Sequence, residues 1–465
     1  MIFEFFKRSL LVVLGILVTV YMVRVLDSRN QIPLEPEHLI QLDRDYDVDR
    51  DGVINWQAYR SLERDLAEDL DQQLAERSRN TSRINRHHIN NPLRQVEKNW
   101  NYSQLLEPQQ VSGVAVLVHG LTDSPYSVRA TAEIFQQQGY ITYAPRLPGH
   151  GYNVGSLSSR DRRDWMAIVE MTIQEAIKNQ QPGQPFILGG YSTGAALAIK
   201  YAMDCEAMQT PCPDKLLLIS PALQITPFAV FAHIHKLVSW IPYLQQFQWN
   251  SLAPEIDLYK FSSFPKNPGW DSYQLSNELF SGMTESRLPP MLVFQSIVDA
   301  TVSTPAVMRF MLNVQPNHHQ VVFYDFNRYQ VYTELFLTKF EAAAYFLAMA
   351  PTSLDITLIS NTSASTQQVS AYQIFPEEPG FQKSPIGLSW PKAVYSLSHI
   401  ALPFAPLDTA YGEVGTAISR ARPLGERNVL SISPDYFQRL RYNPFFDYQA
   451  SRIKSWLANE VRNGS

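Results

Sequence analysis

The run from Phe186 to Leu188 is followed by Gly189, Gly190, Tyr191, Ser192, Thr193 and Gly194, and then by an alanine-rich stretch starting at Ala195. This is a G-x-S-x-G pattern between a strand-like and a helix-like segment. A serine lifted into the open on such a turn needs strand and helix to pass closely, so small residues must flank it two positions on either side. The amide end of the following helix favours negative charge developing nearby. The chemistry this suits is nucleophilic attack by the Ser192 hydroxyl; the plain alternative is a glycine-rich turn that happens to contain a serine. A second run, Val116 to Val118, ends in His119, Gly120 and Leu121. A strand ending this way leaves the Leu121 N–H without a ladder partner, and with the Thr193 N–H it can form an oxyanion hole. His119 reads as a brace for that loop rather than a proton carrier. A third run, Met291 to Phe294, leads to Asp299, which is placed to orient a base. A helix-capping aspartate is its plainer role.

Together these residues resemble a serine hydrolase of the α/β-hydrolase superfamily, over roughly residues 111–460. Arg146, Leu147, Pro148, Gly149, His150 and Gly151 are similar to a loop of monoacylglycerol lipases, carboxylesterases and the serine aminopeptidase-like branch. The resemblance implies a Ser-His-Asp triad in chain order Ser, Asp, His, an acyl-enzyme, no required cofactor and a structural His150. The base must then follow Asp299, which leaves His318, His319 and His399. His318 and His319 precede the strand-like run 320–324 and so belong at the sheet edge opposite the nucleophile, whereas active-site residues in such sheets lie at the carboxyl ends of strands. Asp325, Asn327 and Arg328 after that run, and Asn361 after a run at 355–359, include no histidine. The apolar segment 393–398 does deliver one, His399, ahead of a loop stiffened by Pro403 and Pro406, and His399 is the expected base. The departure from the family is the long insertion at about 301–398, like an enlarged bacterial form, expected to carry a helix over 333–349 and extra strands.

From residue 112 onward short apolar runs alternate with helical stretches, the pattern of a mostly parallel α/β sheet. A second insertion, about 223–290, is dense in aromatics, among them Phe228, Phe231, Trp240, Phe247, Trp249 and Phe261. The superfamily carries its helical lid there, shielding an acyl pocket; the packed core of a helical subdomain is the alternative. At the front, residues 9–23 carry no charge. That length suits one transmembrane helix, an anchor over 1–26 with Arg24 snorkelling to the interface. The expected location is a single-pass protein of the bacterial inner membrane with its catalytic domain in the periplasm. A cleaved signal peptide is the rival, although no small-x-small site follows.

Asp47, Asp49 and Asp51, with Gly52 for the sharp turn and a main-chain oxygen from Val53, match the opening of a calcium loop. Trp56, Tyr59, Leu62, Leu66, Leu70 and Leu74 form an apolar stripe at helical spacing, completing an EF-hand-like helical module over 27–78. Ala58 stands where that pattern places a bidentate Glu, so the loop is either a weak calcium site or a relic holding two helices at an angle. The polar segment 79–110 reads as a linker. Cys205 and Cys212 are close enough in sequence for a turn to join them, with two free thiols as the alternative.

The 465 residues are 45% hydrophobic and 18% charged with a net charge of −5, which excludes a disordered polymer. That mild acidity also argues against a nucleic-acid partner, which would need a basic stripe. A mean hydropathy of −0.19 excludes a multi-pass membrane protein. The expected function is a membrane-anchored hydrolase of carboxylic esters acting on a small-molecule ester or lipid. The alternatives are an aminopeptidase or amidase of the same fold, or a non-catalytic, calcium-responsive membrane scaffold. Oligomeric state is left open.

Overall fold

The structure is a computed structural model that describes residues 2–77, 99–224, 242–253, 255, 257, 259–299, 301–329, 335, 354–375, 380–392, 394–397, 400, 424–426, 429–431 and 442–459. The helices in chain order begin with α1 (Ile2–Asp27), α2 (Pro36–Leu39), α3 (Val48–Asp51) and α4 (Trp56–Arg77). They continue with α5 (Arg129–Gln137), α6 (Val154–Leu157), α7 (Arg162–Lys178), α8 (Thr193–Asp204), α9 (Lys266–Gly282), α10 (Thr304–Asn313) and α11 (Phe446–Ala458). The strands are β1 (Gln104–Leu106), β2 (Gly113–Val118), β3 (Tyr140–Ala144), β4 (Phe186–Tyr191), β5 (Lys215–Ile219) and β6 (Trp249–Ser251). After them come β7 (Phe264–Pro265), β8 (Met291–Ser296), β9 (Gln320–Tyr324), β10 (Asp355–Asn361), β11 (Gln368–Ile374) and β12 (Gln382–Ser389).

All strands but β6 and β7 form one sheet in the order β1-β3-β2-β4-β5-β8-β9-β10-β11-β12. From β3 through β10 every neighbouring pair is parallel, and antiparallel strands close both ends. The near-continuous apolar runs follow from this topology, since a strand with helices on both faces must be apolar on both. Val114, Val116, Leu188, Leu216, Val293 and Phe323 enter one core, against α7, α8, α9 and α10. Their neighbours Ala115, Leu117, Ile187, Leu217, Leu292 and Val322 enter the other, against α5 and α11. The α/β-hydrolase sheet expected from the sequence is therefore present. The insertion at 301–398 extends it with β9 to β12, while the helix expected over 333–349 lies, apart from residue 335, outside the described residues.

The expected membrane anchor is overturned. Residues 1–26 do fall largely within helix α1, but among the described residues no helix is long and apolar enough to cross a membrane. The C-terminal end of α1 is tied to protein: Val25 is buried, and Tyr21 meets Phe247 edge-on at 5.4 Å between ring centroids. The single-pass location and the inner-membrane assignment fall with it. Nor is residue 104 in a linker, because β1 pairs with β3 (Gln104 opposite Ala144). Cys205 and Cys212 are joined in a disulfide, their Cα atoms 5.3 Å apart.

The carboxylates of the expected calcium loop have partners within the protein. Asp47 caps α3, its Oδ1 accepting the Asp49 and Arg50 N–H groups at 3.0 Å each. Asp49 faces Arg163 at 2.9 Å, and Asp51 accepts from Arg50 Nε at 2.7 Å. Val53 is 93% exposed. Guanidinium groups thus answer the carboxylates one by one, and among the described residues no group of three or more His, Cys, Asp or Glu is placed to hold a metal. The remainder of the segment packs inward: Trp56 and Tyr59 belong to the same core as β2 and α7. Millimolar calcium is expected to leave the melting temperature of the protein unchanged within a degree. A saturable upward shift, absent in Asp49→Ala, would instead show a calcium site.

Candidate active site

Ser192 stands between the last residue of β4 and the first of α8, with φ 54° and ψ −116°. A non-glycine residue held there costs about 1–3 kcal/mol and persists where its surroundings over-determine it. Here they do: the Ser192 N–H donates to the Ile219 carbonyl at 2.9 Å, and its own carbonyl accepts from Ala196 and Ala222, each at 3.1 Å. The flanking glycines are dictated by contact. A Cβ on Gly194 would lie 2.1 Å from the Val118 carbonyl oxygen, and one on Gly190 would lie 2.4 Å from the Gly194 carbonyl carbon. The helix therefore lies directly on the end of β2. Thr193, opening α8, belongs to the first turn, whose amides lack an i−4 acceptor.

The loop after β2 runs beneath the serine. A Cβ on Gly120 would be 3.1 Å from Ser192 Cβ, which brings the Gly120–Leu121 peptide beside Ser192. His119 is fully buried and bridges two loops, with Nε2 2.9 Å from the Leu147 nitrogen and Nδ1 2.8 Å from the Gly120 oxygen. A backbone N–H can only donate, so Nε2 accepts and Nδ1 carries the proton that the Gly120 carbonyl receives. Burial, reinforced by neighbouring His150, holds His119 well below the ordinary histidine pKa. His150, whose Nδ1 lies 3.0 Å from the Pro148 oxygen, is lowered by burial to about 4.

Asp299 follows β8, and its Oδ1 accepts the Thr301 and Val302 N–H groups at 2.8 and 2.9 Å, closing a turn ahead of α10, whose N-cap is Ser303. The residue expected as base, His399, lies outside the described residues. The segment leading to it is described and sits at the carboxyl ends of β8 and β9. Ser296 Oγ donates to the Leu397 carbonyl at 3.0 Å, and the Asn327 N–H donates to the Tyr395 carbonyl at 3.0 Å. His319 lies at the other end of the sheet, where its Nδ1 accepts the Met291 N–H at 3.3 Å. Met291 opens the strand that Ser296 closes, so at about 3.3 Å per residue the two ends are roughly 16 Å apart.

Two features of the neighbourhood were not legible in advance. Asp123, buried, pairs with Lys260 at 2.8 Å, while Tyr126 stacks on Tyr259 with centroids 3.8 Å apart. These contacts, and the Phe261 N–H donated to Thr122 at 2.7 Å, tie part of the 223–290 insertion to the loop below Ser192. Residues 225–241 of that insertion, including Phe228, Phe231 and Trp240, lie outside the described residues. The second feature is Arg146, fully buried between Asp45 and Glu63. Its signal was an arginine heading an otherwise apolar loop, since such a charge has to find carboxylates.

Residues 109–335 match the family described as serine aminopeptidase, S33. Sheet order, the strand–turn–helix at Ser192 and this match together identify an α/β-hydrolase fold. Among curated proteins, a thermostable monoacylglycerol lipase from Bacillus sp. (strain H-257) is 42% identical over 55 residues, 12% of this chain. The match spans 22% of that enzyme's length. Similar solved structures include a monoacylglycerol lipase from Paleococcus ferrophilus, 19% identical, covering 48% of this chain and 88% of its own with a TM-score of 0.39. A soluble variant of monoglyceride lipase from Saccharomyces cerevisiae is 14% identical, covers 48% and 82%, and has a TM-score of 0.38.

The two buried imidazoles make a pH prediction. Both folded pKa values lie below the reference of 6.5, so the unfolded chain binds more protons in a window that opens at pH 6.5 and for His150 closes at about 4. Their stabilisation is complete above pH 6.5 and is lost as pH falls through that window. In 15N-resolved NMR both rings should remain neutral at pH 5.5 in the folded protein; either ring titrating near 6.5 would contradict the assignment.

Proposed function

We propose that this chain is a carboxylic ester hydrolase working through an acyl-enzyme. The observation that carries the reading is Ser192 held at positive φ on a turn where both flanking glycines are required by contact. In this reading Ser192 Oγ attacks the ester carbonyl, and the Leu121 and Thr193 N–H groups receive the oxyanion. His399 takes the serine proton and returns it to the leaving alcohol, while Asp299 orients and stabilises the imidazolium. Water then cleaves the acyl-enzyme by the same steps, and no cofactor enters the cycle.

Support for His399 is topological. The loop following β9 holds Asp325, Asn327 and Arg328 but no histidine, and the 394–397 segment bonds to that loop and to the end of β8. Residue 399 follows two positions later. A lipid-like acyl ester is the proposed substrate class, supported by the short stretch shared with the monoacylglycerol lipase. The insertion over 223–290 would then serve as the lid, and its contacts at Thr122, Asp123 and Tyr126 would set how it meets the oxyanion loop.

The test is hydrolysis of a p-nitrophenyl ester series from acetate to palmitate, with matched p-nitroanilides. Wild type should turn over the esters, with a preference for medium or long acyl chains and little anilide cleavage. Ser192→Ala and His399→Ala should each lower kcat by about 10⁴-fold or more, whereas His318→Ala should retain it. Full activity in His399→Ala would move the base elsewhere, and anilides cleaved faster than esters would favour the amidase.

A further inference from the structure

We propose that Asp45 and Glu63, on the N-terminal segment, are positioning residues for the oxyanion hole, acting through Arg146 and His119 on the Leu121 N–H. This rests on the ester-hydrolase reading and extends it to residues far from Ser192 in sequence.

The relay begins with a buried fork. Arg146 Nη2 and Nη1 donate to the two Asp45 oxygens at 2.7 and 3.0 Å, and Nε donates to Glu63 at 3.1 Å. Nη1 also donates to the Leu147 and His150 carbonyls, each at 3.2 Å, and Asp45 takes the Gly149 N–H at 2.6 Å. All three guanidinium nitrogens are thereby bonded, and the 146–150 loop is pinned to the N-terminal segment at Arg146 and Gly149. Tyr59 adds its hydroxyl on the Arg146 carbonyl at 2.8 Å, and Glu63 is itself fixed by the Ser103 hydroxyl at 2.8 Å.

The pinned loop presents one N–H, that of Leu147, to His119 Nε2. This settles the tautomer, and the proton on Nδ1 goes to the Gly120 carbonyl. Asp123 N–H grips the same carbonyl at 3.2 Å. The peptide joining Gly120 to Leu121 is planar and trans, so its N–H points opposite to its C=O. Holding the carbonyl therefore aims the Leu121 N–H. An oxyanion donor acts only within about 2.7–3.1 Å of the place where the charge develops, so small rotations of this peptide matter. Two carboxylates in the first 63 residues thus set a hydrogen bond formed in the transition state.

The experiment compares Asp45→Asn and Glu63→Gln with wild type in the full chain, using a p-nitrophenyl ester and a boronic acid that forms a tetrahedral adduct on serine. The relay predicts kcat lower by about 10- to 100-fold at nearly unchanged KM, and boronate affinity lower in step. The exposed substitution Asp65→Asn, on the same helix, should change neither. Folded variants with kcat within about twofold of wild type would overturn the proposal, as would a kcat loss with boronate affinity intact. Should Asp45→Asn fail to fold, the isosteric Glu63→Gln carries the comparison. Wild-type His119 gives a readout independent of turnover: 15N NMR should find Nδ1 protonated, and an Nε2-protonated ring would overturn the relay. A wild type inert toward esters would instead refute the hydrolase reading itself.

Discussion

At residue 194 the backbone of α8 passes so close to the end of β2 that no side chain fits between them. That approach links the elements of the site. It forces Ser192 onto a strained turn and brings the His119–Leu121 loop beneath it. It also points the amide end of α8 at the space both share. The strain is held by hydrogen bonds with β5 and with residue 222, so Ser192 is fixed by the sheet rather than by its own loop. Asp299 and the 394–397 segment reach the same sheet edge independently, through the ends of β8 and β9.

A second constraint acts from farther away. An arginine removed from water costs several kcal/mol unless its geometry is satisfied, and losing one partner of such a pair is more damaging than never having made it. Arg146 is satisfied by Asp45 and Glu63, and its charge also lies over the Tyr152 and Tyr59 rings at 4.8 and 5.4 Å. Burial works against ionisation of Asp45, yet the guanidinium holds its carboxyl below the usual range; at Glu63 burial prevails and the pKa rises. The N-terminal segment is in this way joined to the hydrolase core by charge as well as by the packing of Trp56 and Tyr59.

The central strands and the strand-to-helix turn at Ser192 were legible in the sequence because their physics is local. Val114 to Val118 or Leu216 to Ile219 are apolar on both faces wherever they are buried, and Gly190 and Gly194 flank Ser192 at a spacing the turn demands. What was not legible depended on partners distant in sequence. Asp47, Asp49 and Asp51 have the spacing of a calcium loop, but Arg160 and Arg163, more than a hundred residues later, take two of them. The apolar run at the front reads as a membrane span, yet among the described residues no helix is long and apolar enough to cross one, and the end of α1 is buried at Val25 and meets Phe247, over two hundred residues on. Asp45 and Glu63 were invisible for the same reason, each a single acid in a polar stretch until the fold brings Arg146 between them.

The central claim is that Ser192 is an activated nucleophile. A fluorophosphonate probe, applied to the purified protein and followed by peptide mass mapping, tests it most directly. A single adduct on Ser192, lost when the protein is unfolded before labelling, is the predicted result. No adduct on the folded protein, or one mapped to another residue, would contradict the account.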